Sequence, residues 1–120
     1  MLKTTTKEIL VYYDANTSLG KKVLALAKSL TPHVKAIEYH KSPLTLSHLR
    51  ELIDKTGLRP KDWLNRANPY YQQNLRGKDF DDESWLNIIT HNPDLIRAPI
   101  VMNGNTAFIC DNATDVLKII

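Results

Sequence analysis

The apolar positions along the chain follow two periods, and each switch between them marks an element. "EILVYYD", residues 8–14, is short, β-branched and aromatic, and turn-formers follow it, so it predicts a buried strand near 8–13. Leu19, Val23, Leu26, Ala27 and Leu30 then recur at helical spacing, with Thr17 or Ser18 as N-cap and Pro32 just past the end. "VKAIEY" alternates again and predicts a second strand near 34–39. A strand, a helix and a strand joined so closely predict a right-handed βαβ unit.

The pattern then turns helical. "TLSHLRELIDKTG" offers Thr45 as cap, apolar Leu46, Leu49, Leu52 and Ile53, and a terminating Gly57. Pro60 and Pro69 break "LRPKDWLNRANPYYQQNL" into short helical turns. "DDESWLNIITHNP" predicts a helix capped by Asp81, with acidic residues at its positive end. Residues 45–91 thus read as a helical block. "APIVMNGNTAFIC" predicts two strands, near 100–102 and 106–110, around the turn dipeptide Asn103-Gly104. "ATDVLKII" closes the chain as a helix. The order βαβ, helical block, ββα resembles the plan of a thioredoxin-like α/β fold with a helical insertion between its two motifs, here as a single domain over 1–120. In that plan a cis-proline opens the third strand and faces the start of the first helix, a place that Pro99 holds.

Composition narrows the class. A chain of 120 residues, 42% hydrophobic, has material for one core. No apolar run approaches the ~20 residues of a membrane span, and no charged n-region precedes a hydrophobic h-region, so a cytoplasmic protein is expected. Cys110, the single cysteine, cannot form an intramolecular disulfide, which agrees with a reducing compartment. The formal charge of +3 is uneven: residues 1–60 hold ten Lys/Arg against five Asp/Glu, and residues 61–120 six against eight. No basic face interleaved with aromatics emerges, so nucleic acid is not an expected partner.

The stretch "YYDANTSLGKKV", residues 12–23, stands where α/β proteins place a phosphate loop or a redox cysteine, and completes neither. A phosphate loop needs Gly where the chain has Ala15 and a hydroxyl where it has Lys22. What remains is, first, an N-cap beside a solvated lysine pair, and second, a helix start whose amides at Ser18, Leu19, Gly20 and Lys21 could bind a small anion. His33, His40, His48 and His91 have neither helical i, i+4 pairing nor a cysteine partner, so no metal centre and no cofactor are expected. Ser18 or Ser29 with a histidine and Asp14 can be drawn as a triad, but no nucleophile elbow supports it. Tyr70 and Tyr71 read as packing residues with surface hydroxyls, or as a contact for a partner.

Three segments carry a resemblance: "WLNRANPYY", "PDLIRAPIVMNGNTAFIC" and "DVLKII". Over about residues 8–120 the chain resembles the glutaredoxin-type arsenate reductases and their Spx-type regulatory relatives. The resemblance implies a cysteine at the N-terminus of the first helix, where unpaired amides and the helix dipole lower the thiol pKa for attack on arsenate. That position here is Thr17. It also implies arginines that hold the oxyanion. Their places fall on Asn65, with Arg66 adjacent; on Ala98, with an arginine one place earlier at Arg97; and on Asp111. With Cys110 expected as a small buried residue at the end of the second hairpin strand, the resemblance implies a degenerate redox site. The expectation is a non-catalytic binding or regulatory module for a small anion or a protein partner, as Spx-type relatives dock on RNA polymerase. The competing class is an oxidoreductase, an arsenate reductase or glutaredoxin-like thiol transferase working by an altered mechanism.

Overall fold

Ile9, Val11 and Tyr13 alternate with Leu10 and Tyr12 along β1 (Ile9–Tyr13), and this strand is paired on both sides. The structure, a computed structural model, describes residues 8–42, 44–104 and 106–119. The chain divides into two compact units: Met1–Ser42 with Ala98–Ile120, and Pro43–Arg97.

In the first unit β1 runs parallel to β2 (Val34–Glu38), with Ile9 opposite Val34 and Tyr13 opposite Glu38. On its other side it runs antiparallel to β3 (Ile100–Asn103), with Tyr12 opposite Ile100. β4 (Thr106–Ile109) completes the sheet in the order β2-β1-β3-β4. All four strands lie where the alternation predicts them. Asn103 pairs with Thr106, so Asn103 is the last strand residue and the loop opens at Gly104, one place later than the expected Asn103-Gly104 turn. Gly104 takes the positive φ, 62°, that the first loop position of a two-residue hairpin demands; Asn105 lies outside the described residues. The Ala98–Pro99 peptide bond is cis.

α1 (Ser18–Leu30) covers one face of this sheet. Its Val23, Ala27 and Leu30 meet Ile9, Val11, Val101 and Cys110, together with Val116 and Ile119 of the closing segment. The closing helix, Ala113–Ile119, is a 3-10 helix. Its three-residue period sets Val116 and Ile119 on one side, which buries both. Asp115 accepts from the amides of Asn112 and Asp111 at 3.0 and 2.9 Å, which fixes the start of that helix and holds the Asp115 carboxyl below its usual range.

The second unit is the insertion, and it runs further than the expected 45–91. Asn65 N–H donates to the Leu95 carbonyl at 2.7 Å and Arg97 N–H to that of Trp63 at 2.7 Å, so residues 93–97 belong to the helical block through pairing with 63–65. α2 (Leu46–Thr56) is capped by Thr45 and closed by Gly57, and α3 (Asp82–His91) is capped by Asp81, as their sequences predict. Pro60 starts a 3-10 turn, Pro60–Trp63, and Tyr71–Leu75 forms a single π turn. Leu49, Leu52, Trp63, Trp85, Ile89 and Leu95 are buried, and Phe80 meets Trp85 edge-on at 5.0 Å. Among the described residues no helix is long and apolar enough to cross a membrane.

Two expectations for stability arise from the first unit. A Cβ added at Gly20 meets the Thr17 hydroxyl at 2.6 Å and the Asp14 carbonyl at 2.8 Å. Gly20→Ala should therefore lower the unfolding free energy by about 1–3 kcal/mol, despite the ~1 kcal/mol that alanine gains over glycine in a helix. A urea titration in which the variant is more stable than the parent refutes the close approach.

Cys110 is 1% exposed, and burial, then the Asp115 and Asp111 carboxylates, push its thiol up from 9.0 to about 12. The unfolded chain thus loses this proton at lower pH than the folded one. Stability is retained below the ordinary thiol range and falls as pH rises from about 9 toward 12. Cys110→Ala should flatten that alkaline limb relative to the parent in thermal melts at stepped pH, and equal slopes contradict the assignment.

Candidate functional site

The corner between β1 and α1 is built from Asp14 to Gly20, and most of its hydrogen bonds run through Asp14 and Thr17. Thr17 is the N-cap. Its hydroxyl donates to the Asp14 carbonyl at 2.8 Å and accepts from Gly20 N–H at 3.1 Å. Thr17 N–H donates to the same Asp14 carbonyl at 3.0 Å, and Asn16 N–H donates to the Asp14 carboxylate at 2.9 Å. A hydroxyl has one proton to donate, and here that proton points into the turn. Of the four amides expected to face an anion, Gly20 is capped by the Thr17 side chain and Lys21 N–H donates to the Thr17 carbonyl at 3.3 Å. The helix start is left with the amides of Ser18 and Leu19 and with the exposed side chains of Lys21 and Lys22.

Pro99 lies beside this corner through the sheet register. Tyr12 faces Ile100, so the residue before β3 stands level with the end of β1. Ala98 is half-buried and brings no charge. Pro99 gives its carbonyl to Cys110 N–H at 2.8 Å, which fixes the buried thiol in the sheet core. Asp111 is exposed, and its amide serves the Asp115 cap.

In the second unit, Asn65, Arg66 and Arg97 line one open concavity of about 350 Å³ with Asp62 and Leu64. The pairing of 63–65 with 95–97 brings them together. Arg97 donates from Nη1 to the Asp62 carbonyl at 3.1 Å, which holds its guanidinium over the turn. Arg66 is exposed and makes no ion pair among the described residues; its carbonyl accepts from the Gln72 side chain. Asn65 turns its side-chain oxygen to Ala67 N–H at 3.2 Å. The two arginines displaced by one place in the sequence therefore share a single surface with the asparagine between them. Tyr70 is exposed and Tyr71 half-buried in the π turn beyond.

One constellation is invisible to residue spacing. Asp14, Glu38 and His40 present one ligand atom each, all within 4.8 Å of one another. They come from the ends of two neighbouring strands, so only the register Tyr13 opposite Glu38 reveals them. The Ser29 hydroxyl, drawn into a triad from the sequence, instead donates to the Leu26 carbonyl at 2.6 Å.

The sequence profile of the ArsC family matches residues 12–119. An arsenate reductase from Neisseria meningitidis serogroup A is 26% identical over 103 residues, which span 83% of this chain and 88% of that protein. Among solved structures, an arsenate reductase from Vibrio cholerae superposes with a TM-score of 0.88 at 21% identity, covering 97% of this chain and all of that one. An arsenate reductase related protein from Brucella melitensis gives 0.68 at 15% identity over 88% of each chain. The thioredoxin-like fold is shared with these solved structures, and this chain belongs to the ArsC family.

Proposed function

We propose that this chain is a binding or regulatory module of the ArsC family that keeps cationic groups for an oxyanion or an acidic partner segment but carries no thiol redox chemistry. The observation that carries the reading is the state of the only cysteine. Cys110 is buried in the sheet core with its thiol raised to about 12, so thiolate is scarce at neutral pH. The hydroxyl that stands at the family's nucleophile position is engaged at both ends in the helix cap. The proton of that alcohol goes to the Asp14 carbonyl rather than to a base, and an alcohol cannot form the mixed disulfide through which electrons pass. Arg66 and Arg97 support the binding half of the reading, because guanidinium groups match tetrahedral oxyanions and carboxylates with paired N–H donors. Cytoplasmic residence accompanies the proposal, since a lone reduced thiol suits that compartment.

Turnover tests the redox half. The purified protein should show no arsenate-dependent oxidation of glutathione or thioredoxin above background. Turnover that disappears in Cys110→Ser overturns the reading in favour of an active reductase. Thr17→Cys should create a thiol that iodoacetamide alkylates faster than Cys110, because a helix N-terminus brings thiol pKa values to about 3.5–7.5. Equal rates for the two cysteines refute the role assigned to that corner.

Anion titration tests the binding half. Phosphate or arsenate should bind weakly, as suits an open surface with two guanidinium groups. The affinity should fall with added salt, since charges at an open surface are screened over ~10 Å at 0.1 M. Arg66→Ala and Arg97→Ala should each weaken it, as followed by amide chemical shifts. Shifts confined to other regions and unchanged in both variants exclude this surface.

A further inference from the structure

We propose that Asp14, Glu38 and His40 form a binding site for a divalent transition-metal ion of the zinc class, independent of the oxyanion surface in the insertion. The donor set is one imidazole nitrogen and two carboxylate oxygens, which suits zinc, cobalt(II) or manganese(II). His40 Nδ1 stands 3.2 Å from Glu38 Oε1 and 3.9 Å from Asp14 Oδ1. Ligands at 2.0–2.2 Å from a tetrahedral zinc ion stand roughly 3.3–3.6 Å apart, so the observed separations bracket a metal-bound edge.

Backbone structure holds the three donors in place. The β1–β2 ladder ends at Tyr13 opposite Glu38 and is extended by Tyr39 N–H donating to the Tyr13 carbonyl at 3.4 Å. Asp14 and His40 each follow directly on a laddered residue, so neither can swing far from the other. Lys41 and Ser42 both donate their amides to the Glu38 carbonyl, at 3.0 and 2.9 Å, and this turn folds His40 back over Glu38. Asn16 N–H and His40 N–H donate to the Asp14 and Glu38 carboxylates at 2.9 Å each, which orients the ligand oxygens as outer-shell donors do in metal sites. The Tyr39 ring lies 4.7 Å from the imidazole, centre to centre, and restricts its rotation.

The charge balance points the same way. The Asp14 and Glu38 side chains are 20% and 12% exposed, so two like charges are drawn together with little water around them. A divalent ion between the three donors offsets the repulsion of those charges and leaves a fourth coordination position for water or an added ligand. Among the described residues these three are the one group of His, Cys, Asp and Glu whose ligand atoms converge in this way.

The test uses the full chain, without a histidine tag and treated with chelator, at pH 7.5, where the ligands are deprotonated as metal binding requires. Calorimetry with zinc chloride should show one equivalent bound, and cobalt(II) should develop visible absorption of low-coordinate form. Zinc should also raise the thermal midpoint, because an ion that binds only the folded chain stabilises it. His40→Gln, Glu38→Gln and Asp14→Asn should each weaken zinc binding by roughly 10–100-fold or more, with circular dichroism reporting that each remains folded. His48→Gln and His91→Gln should bind as the parent does. No stoichiometric binding by the parent overturns the proposal, as does unchanged affinity in His40→Gln, loss of binding in His48→Gln or His91→Gln, or magnesium binding as tight as zinc. If one of the three variants fails to fold, the other two decide.

Discussion

The hydrogen-bond ladder of β1 is the constraint on which the first unit depends. A strand paired parallel on one side and antiparallel on the other has both rows of backbone groups engaged, so its register fixes the register of everything beside it. Because Ile9 and Val11 face α1, the pleat commits Val101 and Cys110 to the same core, and the helix follows with Val23, Ala27 and Leu30. The same register sets the exit of β1 at Tyr13, level with the entry to β3 and next to the end of β2. The corner at Asp14–Gly20, the buried Pro99 and the carboxylate pair at Asp14 and Glu38 all take their positions from that one exit.

The insertion is organised by a different interaction with the same effect. Two backbone bonds between residues 63–65 and 95–97 close the helical block on itself. They bring Arg66 and Arg97 to one surface although neither occupies the place the family resemblance gives to an oxyanion arginine. A guanidinium is long and forked, so a shift of one residue along the chain need not remove a cation from a surface. Asn65 and Ala98 carry no charge, and Arg66 and Arg97 beside them line one concavity of about 350 Å³.

Much of this was legible in the sequence because it is local. Thr45 and Gly57, or Asp81 with the acidic turn after it, state helix boundaries in the chemistry of a few consecutive residues. The strands were legible from alternation, and the fold class from the order of elements. What escaped is what depends on register or on contacts distant along the chain. The hairpin loop moved one place because Asn103 and Thr106 form a ladder pair, which turn propensity alone does not decide. The insertion runs on to Arg97 because of a two-bond pairing that leaves no composition signal. The three ligand atoms of Asp14, Glu38 and His40 converge only because a parallel ladder sets residues 14 and 38–40 side by side.

At the start of α1, helix capping and thiol chemistry compete for the same backbone groups. A thiolate at a helix N-terminus is stabilised by amides that no other group has claimed. A threonine N-cap claims one of them, and such a cap stabilises a helix by about 0.5–2 kcal/mol relative to alanine. In this chain the claim reaches further, because the Thr17 hydroxyl also ties itself to the Asp14 carbonyl, while Gly20 leaves just enough room for both. The corner that would have to stay open to lower a thiol pKa is closed by three short contacts. The closure also holds Asp14 at the end of β1, since its carbonyl takes two bonds from Thr17 and its carboxylate one from Asn16. These bonds set the Asp14 carboxylate at the end of β1, next to Glu38 at the end of β2.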